Sequence, residues 1–325
     1  MRPRDKNTMH ILVTGGGGFL GRRLIERLLA EGLDGRAVTA ITAFDAVPPA
    51  PFADRRVALA TADLCDTAAL AGAAGDGVDV VFHLAAVVSG AAEADLALGM
   101  RVNVDGTRAL LDVLAAGGRR PRLVFASSVA AFGRVGADGF VDDATTPKPA
   151  SSYGAEKVIG EYLVADRTRR GDIDGRSVRL PTVVVRPGKP NAAASSFASS
   201  ILREPLAGER AVLPVAESLR LWISSPDTVV RNLVHAAALP PEAFEGDATL
   251  NLPGITVAVA EMIAALGRAG GDTGLVERTP DARIGKIVAS WPAGIRTDRA
   301  NALGFRPDTD IDAIVAEHVA LMKAA

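Results

Sequence analysis

"HILVTGGGGFLGRRLIERLLAEG", residues 10–32, decides the fold. The run His10–Thr14 is short, apolar and rich in β-branched side chains, the pattern of a strand buried on both faces. Four glycines follow it. From Phe19 onward, apolar residues recur at Leu20, Leu24, Leu28 and Leu29, a helical period. Strand, glycine turn and helix in that order give Gly15-x-x-Gly18-x-x-Gly21 a physical meaning. Glycine lets the backbone turn tightly and lets a pyrophosphate approach the helix N-terminus, where unpaired N–H groups point outward.

Working outward, further strands are expected at 37–45, 57–64, 78–86, 122–128 and 176–188. Helical patterns fall between them near 66–74, 93–117 and 152–170. Such alternation predicts an α/β fold, a Rossmann-type doubly wound parallel sheet. After Gly188 the alternation stops. Residues 9–188 read as an NAD-binding domain and 189–325 as a smaller, partly interleaved substrate-binding lobe. The polar stretch "MRPRDKNT", 1–8, reads as a frayed extension rather than a signal peptide.

Bulk composition narrows the function. The net charge is −2 with no long basic run, which argues against a nucleic-acid partner. The longest apolar run, 78–88, contains His83 and is far shorter than the ~20 residues of a membrane helix. Cys65 is the single cysteine, so no intrachain disulfide framework exists. That usage fits a reducing, cytoplasmic compartment. No metal site is assigned.

Ligands of such sheets bind at the carboxyl ends of the strands. Asp45 ends the second strand, 30 residues beyond Gly15. A carboxylate there can accept from a ribose diol and repels a 2′-phosphate, favouring NAD over NADP. Asp63 and Leu64 end the third strand; Leu84, Ala85 and Ala86 end the fourth, where small side chains let a cofactor lie close.

"SSYGAEKVIGEYL", 151–163, holds both tyrosines of the chain. Tyr153 and Lys157 share a helix face at i and i+4. The ammonium is expected to lower the phenol pKa from ~10, making Tyr153 a general base. Ser128 closes the fifth strand 25 residues earlier and can bind the same substrate oxygen.

Together, TGGGGFLG, DL, HLAA, ASS, YGAEK and VRPG resemble, in order and place, the extended short-chain dehydrogenase/reductases, the NAD-dependent epimerase/dehydratase family. The resemblance implies that Tyr153 is the catalytic base, with Lys157 on the nicotinamide ribose and Ser128 on the substrate oxygen. It implies that Asn103 fixes a water of a proton relay; a capping or buried amide is the competing reading. Gly15, Gly18, Phe19, Leu20 and Gly21 would cradle the pyrophosphate, and Pro187 and Gly188 would flank the carboxamide.

The second half, with "VRPGKPNAAASSFASSILREPLAGE", "LWISSPDTVVRNLVHAA" and "LGFRPDTDIDAIV", resembles the D-erythronate-oxidising branch of that family. The branch implies oxidation of the C2 hydroxyl of a small sugar acid to a 2-keto acid. Its carboxylate calls for a cation or several donors. Arg186, Lys189 and Arg220 are the candidates, Arg220 foremost, with Ser195, Ser196, Ser224 and Ser225 as hydroxyl partners. A sugar-nucleotide epimerase or dehydratase and a non-catalytic dinucleotide-binding module remain the alternatives. Family habit also implies a homodimer through the helices at 93–117 and 152–170.

Overall fold

The computed structural model describes residues 9–75, 77–133, 139–188 and 192–324. The expected extension 1–8 lies outside the described residues. The first half builds β1 (His10–Thr14), α1 (Phe19–Glu31), β2 (Ala40–Asp45), β3 (Val57–Thr61), α2 (Thr67–Ala74) and β4 (Val80–His83). Next come α3 (Ser89–Ala94), α4 (Leu96–Gly99), a π-helical turn (Met100–Asp105), α5 (Gly106–Ala116), β5 (Arg122–Ser128) and β6 (Phe140–Val141). Then follow α6 (Ser152–Arg170), β7 (Asp174–Leu180), β8 (Thr182–Val183), α7 (Ser196–Leu206), β9 (Ala211–Leu213) and β10 (Arg220–Ser224). The chain closes with α8 (Pro226–Ala238), β11 (Thr249–Asn251), β12 (Ile255–Ala258), α9 (Val259–Arg268), β13 (Val276–Arg278), α10 (Ala282–Val288), β14 (Gly294–Ile295), α11 (Asp298–Ala302) and α12 (Ile311–Ala324).

Seven strands form one parallel sheet in the order β11-β7-β5-β4-β1-β2-β3. The order reverses between β1 and β4, so a crevice opens beyond their carboxyl ends. Helix α1 turns Leu24, Ile25 and Leu28 onto the sheet, all fully buried. Each such side chain contributes roughly 1.5–3 kcal/mol.

Several expected elements differ. The sixth strand, expected over 176–188, breaks at Pro181. Proline has no N–H for a ladder, so β7 ends in the main sheet and β8 crosses into a small sheet, β12-β10-β8. The helix expected over 93–117 is interrupted twice. The Asp95 side chain accepts from Leu98 N at 3.0 Å, capping a new helix, and the π turn follows. The strands expected at 57–64 and 78–86 end early, at Thr61 and His83, leaving their last residues free to face the crevice, and the one expected at 37–45 begins only at Ala40.

The second half does not stand apart. It supplies β11 to the main sheet, and α8 packs against α1. In return β6 pairs with β14. A second apolar core joins α7, α9 and α12 through Ile201, Met262 and Ile314. Among the described residues no helix is long and apolar enough to cross a membrane.

Candidate active site

A cavity of about 570 Å³ opens along the carboxyl ends of the strands. Its lining follows the sheet order: Asp63 after β3, Asp45 on β2, Gly15 after β1, Ala85 after β4, Ser128 on β5 and Pro181 after β7. Three strand spacings separate β2 from β5, about 14 Å, the span of an extended dinucleotide.

The glycines suit that ligand for distinct reasons. Gly15 has φ 72°, and a Cβ there would lie 2.8 Å from Ala85 N. At Gly21 a Cβ would lie 2.2 Å from Gly15 O, so only glycine lets α1 start this close to β1. Gly18 caps α1 with no side-chain hydrogen bond, leaving the first N–H groups to the cavity. Phe19 and Leu20 also line it. The residues present therefore fit a dinucleotide whose pyrophosphate sits at the α1 N-terminus.

Asp45 Oδ2 accepts from Gly17 N at 3.0 Å, and Oδ1 accepts from Val47 N at 3.2 Å. The carboxylate is thereby held against the glycine loop, where a 2′-phosphate would meet its charge. Asp63 pairs with Arg101 at 2.5 Å, and both line the cavity. Leu64, Leu84 and Ala86 line it as well. Cys65 sits beside that pair, its thiol donating to Arg101 O at 3.2 Å.

Helix α6 begins where the Ser151 side chain accepts from Gly154 N. Its first turn brings Tyr153 beside Ser128, whose hydroxyl favours the phenolate, and both line the cavity. Lys157 is buried; its Nζ donates to Ala126 O at 2.9 Å and lies 5.6 Å from the Tyr153 ring centroid. The expected depression of the phenol is overturned. Burial pushes Tyr153 up to about 12, against the lowering effects of Ser128 and Arg186. Burial likewise pulls Lys157 down to about 8.

Arg186 is one of three cations in the cavity lining, with Arg101 and Lys157. It lines the cavity with Ser195, to whose Oγ its Nη2 donates at 2.6 Å, while Nε donates to Val183 O at 3.1 Å. Among the described residues no carboxylate forms an ion pair with it. Its charge acts on Tyr153, and burial lowers its own pKa.

Other expected contacts are not brought together here. Arg220 lies outside the cavity lining, exposed, its guanidinium 5.4 Å from the Phe140 ring centroid. Ser196, Pro187 and Gly188 also lie outside the lining. Lys189 lies outside the described residues. Ser224 donates to Asp308 at 2.8 Å, and Ser225 caps α8, so both hydroxyls are structural. Asn103 is buried and absent from the lining; its Oδ1 accepts from Val87 N at 2.8 Å and its Nδ2 donates to Val87 O at 3.0 Å. Trp291, on the loop after α10, lines the cavity without any signal in the local sequence. Arg101, two residues before Asn103, shared a turn with it and could have been found.

The description of the matching family model is "NAD dependent epimerase/dehydratase family", and it covers residues 11–248. A D-erythronate dehydrogenase of Cupriavidus necator is 47% identical over 319 residues, 96% of this chain and 98% of that one. A D-erythronate dehydrogenase of Haemophilus influenzae is 42% identical over 314 residues, 96% and 99% respectively. A crystal structure described as a nucleoside-diphosphate-sugar epimerase from Agrobacterium tumefaciens superposes with a TM-score of 0.89 at 40% identity, covering 98% of this chain and 97% of that one.

Proposed function

The chain belongs to the NAD-dependent epimerase/dehydratase family, and within it we propose an NAD-dependent dehydrogenase that oxidises the C2 hydroxyl of a small sugar acid such as D-erythronate to the 2-keto acid. The observation that carries the substrate class is Arg186. A cavity-lining guanidinium with no carboxylate partner among the described residues, within electrostatic reach of Tyr153, is matched to an anionic substrate. A carboxylate there would receive a bidentate fork and offset the cost of desolvating the cation.

NAD, when bound, supplies the hydride acceptor. Gly15, Gly18 and Gly21 would hold its pyrophosphate, Asp45 its adenosine ribose, and Lys157 its second ribose. Ser128 donates to the substrate oxygen and steadies it. Tyr153 takes the alcohol proton as the C2 hydrogen leaves as hydride. A phenol held near 12 in the empty cavity is a poor base. Ser128 and Arg186 already act to lower that value, and the Lys157 ammonium one helical turn along would favour the phenolate further once substrate and cofactor are in place. The smaller lobe, 189–325, supplies Ser195 and Trp291 to the substrate side.

Arg186→Met should raise KM for D-erythronate at least tenfold while leaving KM for the neutral polyol erythritol unchanged. Equal effects on both would remove the carboxylate reading. A second reading, a nucleoside-diphosphate-sugar epimerase, is favoured by the description of the Agrobacterium structure. It requires epimer interconversion with no net NADH, which the same assay separates.

A further inference from the structure

Arg186 stands where regular structure has stopped. Strand β8 ends at Val183, and Pro187 follows with no N–H to donate. The peptide groups of Arg186 therefore need partners from another element. Helix α7 supplies both. Ser199 Oγ accepts from Arg186 N at 3.0 Å, and Arg203 Nη1 donates to Arg186 O at 2.6 Å. Ser195, the N-cap of α7, accepts from the guanidinium at 2.6 Å. Positions 195, 199 and 203 follow one another at i, i+4 and i+8, a single row along the helix. All three serve the same arginine.

These contacts fix a direction. Holding the N–H sets the peptide plane before Arg186, and holding the C=O sets the plane after it. With both planes set, the Cα–Cβ bond has one direction. Nε donates to Val183 O at 3.1 Å and Nη2 to Ser195, which sets the rest of the side chain. Nη1 has no partner among the described residues. The edge formed by Nη1 and the second Nη2 hydrogen is the fork left for a carboxylate.

The packing of α7 does not require this polar row. Phe197, Ala198, Ile201 and Leu202 bury an apolar side of the helix in one core with Val184 and Val185. The row carries a cost instead, since Ser199 is 1% exposed and Arg203 is buried enough to need a counter-charge, Glu204, at 2.5 Å. Because Arg203 stays paired with Glu204, what it delivers to Arg186 is a hydrogen bond rather than a free charge.

We infer that Ser199 and Arg203 are positioning residues: with Ser195 they form a row on α7 that fixes the aim of the Arg186 fork, and so set selectivity for a substrate bearing a carboxylate. The inference rests on the reading of Arg186 given above.

Steady-state kinetics on the full chain, with D-erythronate and erythritol, test it in single and paired variants. Arg203→Met should raise KM for D-erythronate about tenfold and Ser199→Ala about threefold, with KM for erythritol unchanged. In the Arg186→Met background neither should raise KM for D-erythronate further, because the fork is already gone. A general loosening of the fold would act on both substrates and would add to Arg186→Met. Should Arg203→Met not fold, Arg203→Met combined with Glu204→Met removes the pair without stranding a charge, and the same rise is required of it. Equal rises for both substrates, or rises that add to Arg186→Met, overturn the assignment. Unchanged KM values in the α7 variants, beside a selective rise in Arg186→Met alone, also overturn it and leave the reading of Arg186 standing. Should Arg186→Met itself affect both substrates alike, the carboxylate reading fails and the positioning role falls with it.

Discussion

Tyr153→Phe removes one hydroxyl and keeps the ring. Turnover should fall about 10²–10⁴-fold, the range general-base removal produces, with NAD affinity by calorimetry unchanged. Wild-type turnover in this variant would contradict the base assignment. The Tyr153–Lys157–Ser128 set was legible because helix geometry fixes an i,i+4 pair and a strand end fixes Ser128. The pKa direction was not legible. It depends on burial, which arises from chain segments far away in sequence. Arg186 and Arg220 differed for the same reason: only the path of the chain after Pro181 decides which one faces the cavity. His83 gives a pH prediction. It is buried between Thr14 and Thr107 at 2.7 and 2.9 Å and held down to about 3, against 6.5 unfolded. A depressed folded pKa means the unfolded chain binds the extra proton. His83 therefore destabilises the fold increasingly as pH drops below about 6.5, with the loss complete near 3. Urea midpoints should decline over that window, and His83→Gln should flatten the decline.

At the scale of elements, the glycine turn carries most of the argument. Gly21→Ala places a methyl 2.2 Å from Gly15 O, a backbone atom that cannot yield cheaply. It should cost about 1–3 kcal/mol and weaken NAD binding, because α1 must shift from β1. Unchanged NAD affinity and an unchanged urea midpoint would show that α1 tolerates the group. Periodicity located β1, α1, β5 and α6 closely, since each has a strong pattern and a clear punctuation residue. It missed the break at Pro181 and the π turn at Met100–Asp105. Both are tertiary choices: one strand leaves the main sheet for another, and one helix bends so that Asn103 meets Val87 and Glu156.

Across the whole molecule, a buried polar chain ties the cofactor sheet to the later elements. Glu161 binds Arg179, Arg179 reaches Asn251 at 3.4 Å, and Asn251 donates to Asp143 at 2.8 Å. Arg179→Met strands the Glu161 charge and should cost roughly 3–5 kcal/mol in urea unfolding. A loss under 1 kcal/mol would mean that water reaches the pair. The doubly wound class could be read from alternation alone. The seventh strand, β11, could not, because three residues separated from β7 by 68 positions carry no local sign of parallel pairing.

The central claim is an NAD-linked oxidation of a small sugar acid. The most direct measurement is the initial rate of NADH formation by purified protein with D-erythronate, alongside other aldonic acids, nucleoside-diphosphate sugars and NADP. The account predicts NADH from D-erythronate with NAD, a 2-keto acid as product, and a much weaker signal with NADP. Epimerised sugar nucleotide without net NADH, and silence with every sugar acid, would contradict it.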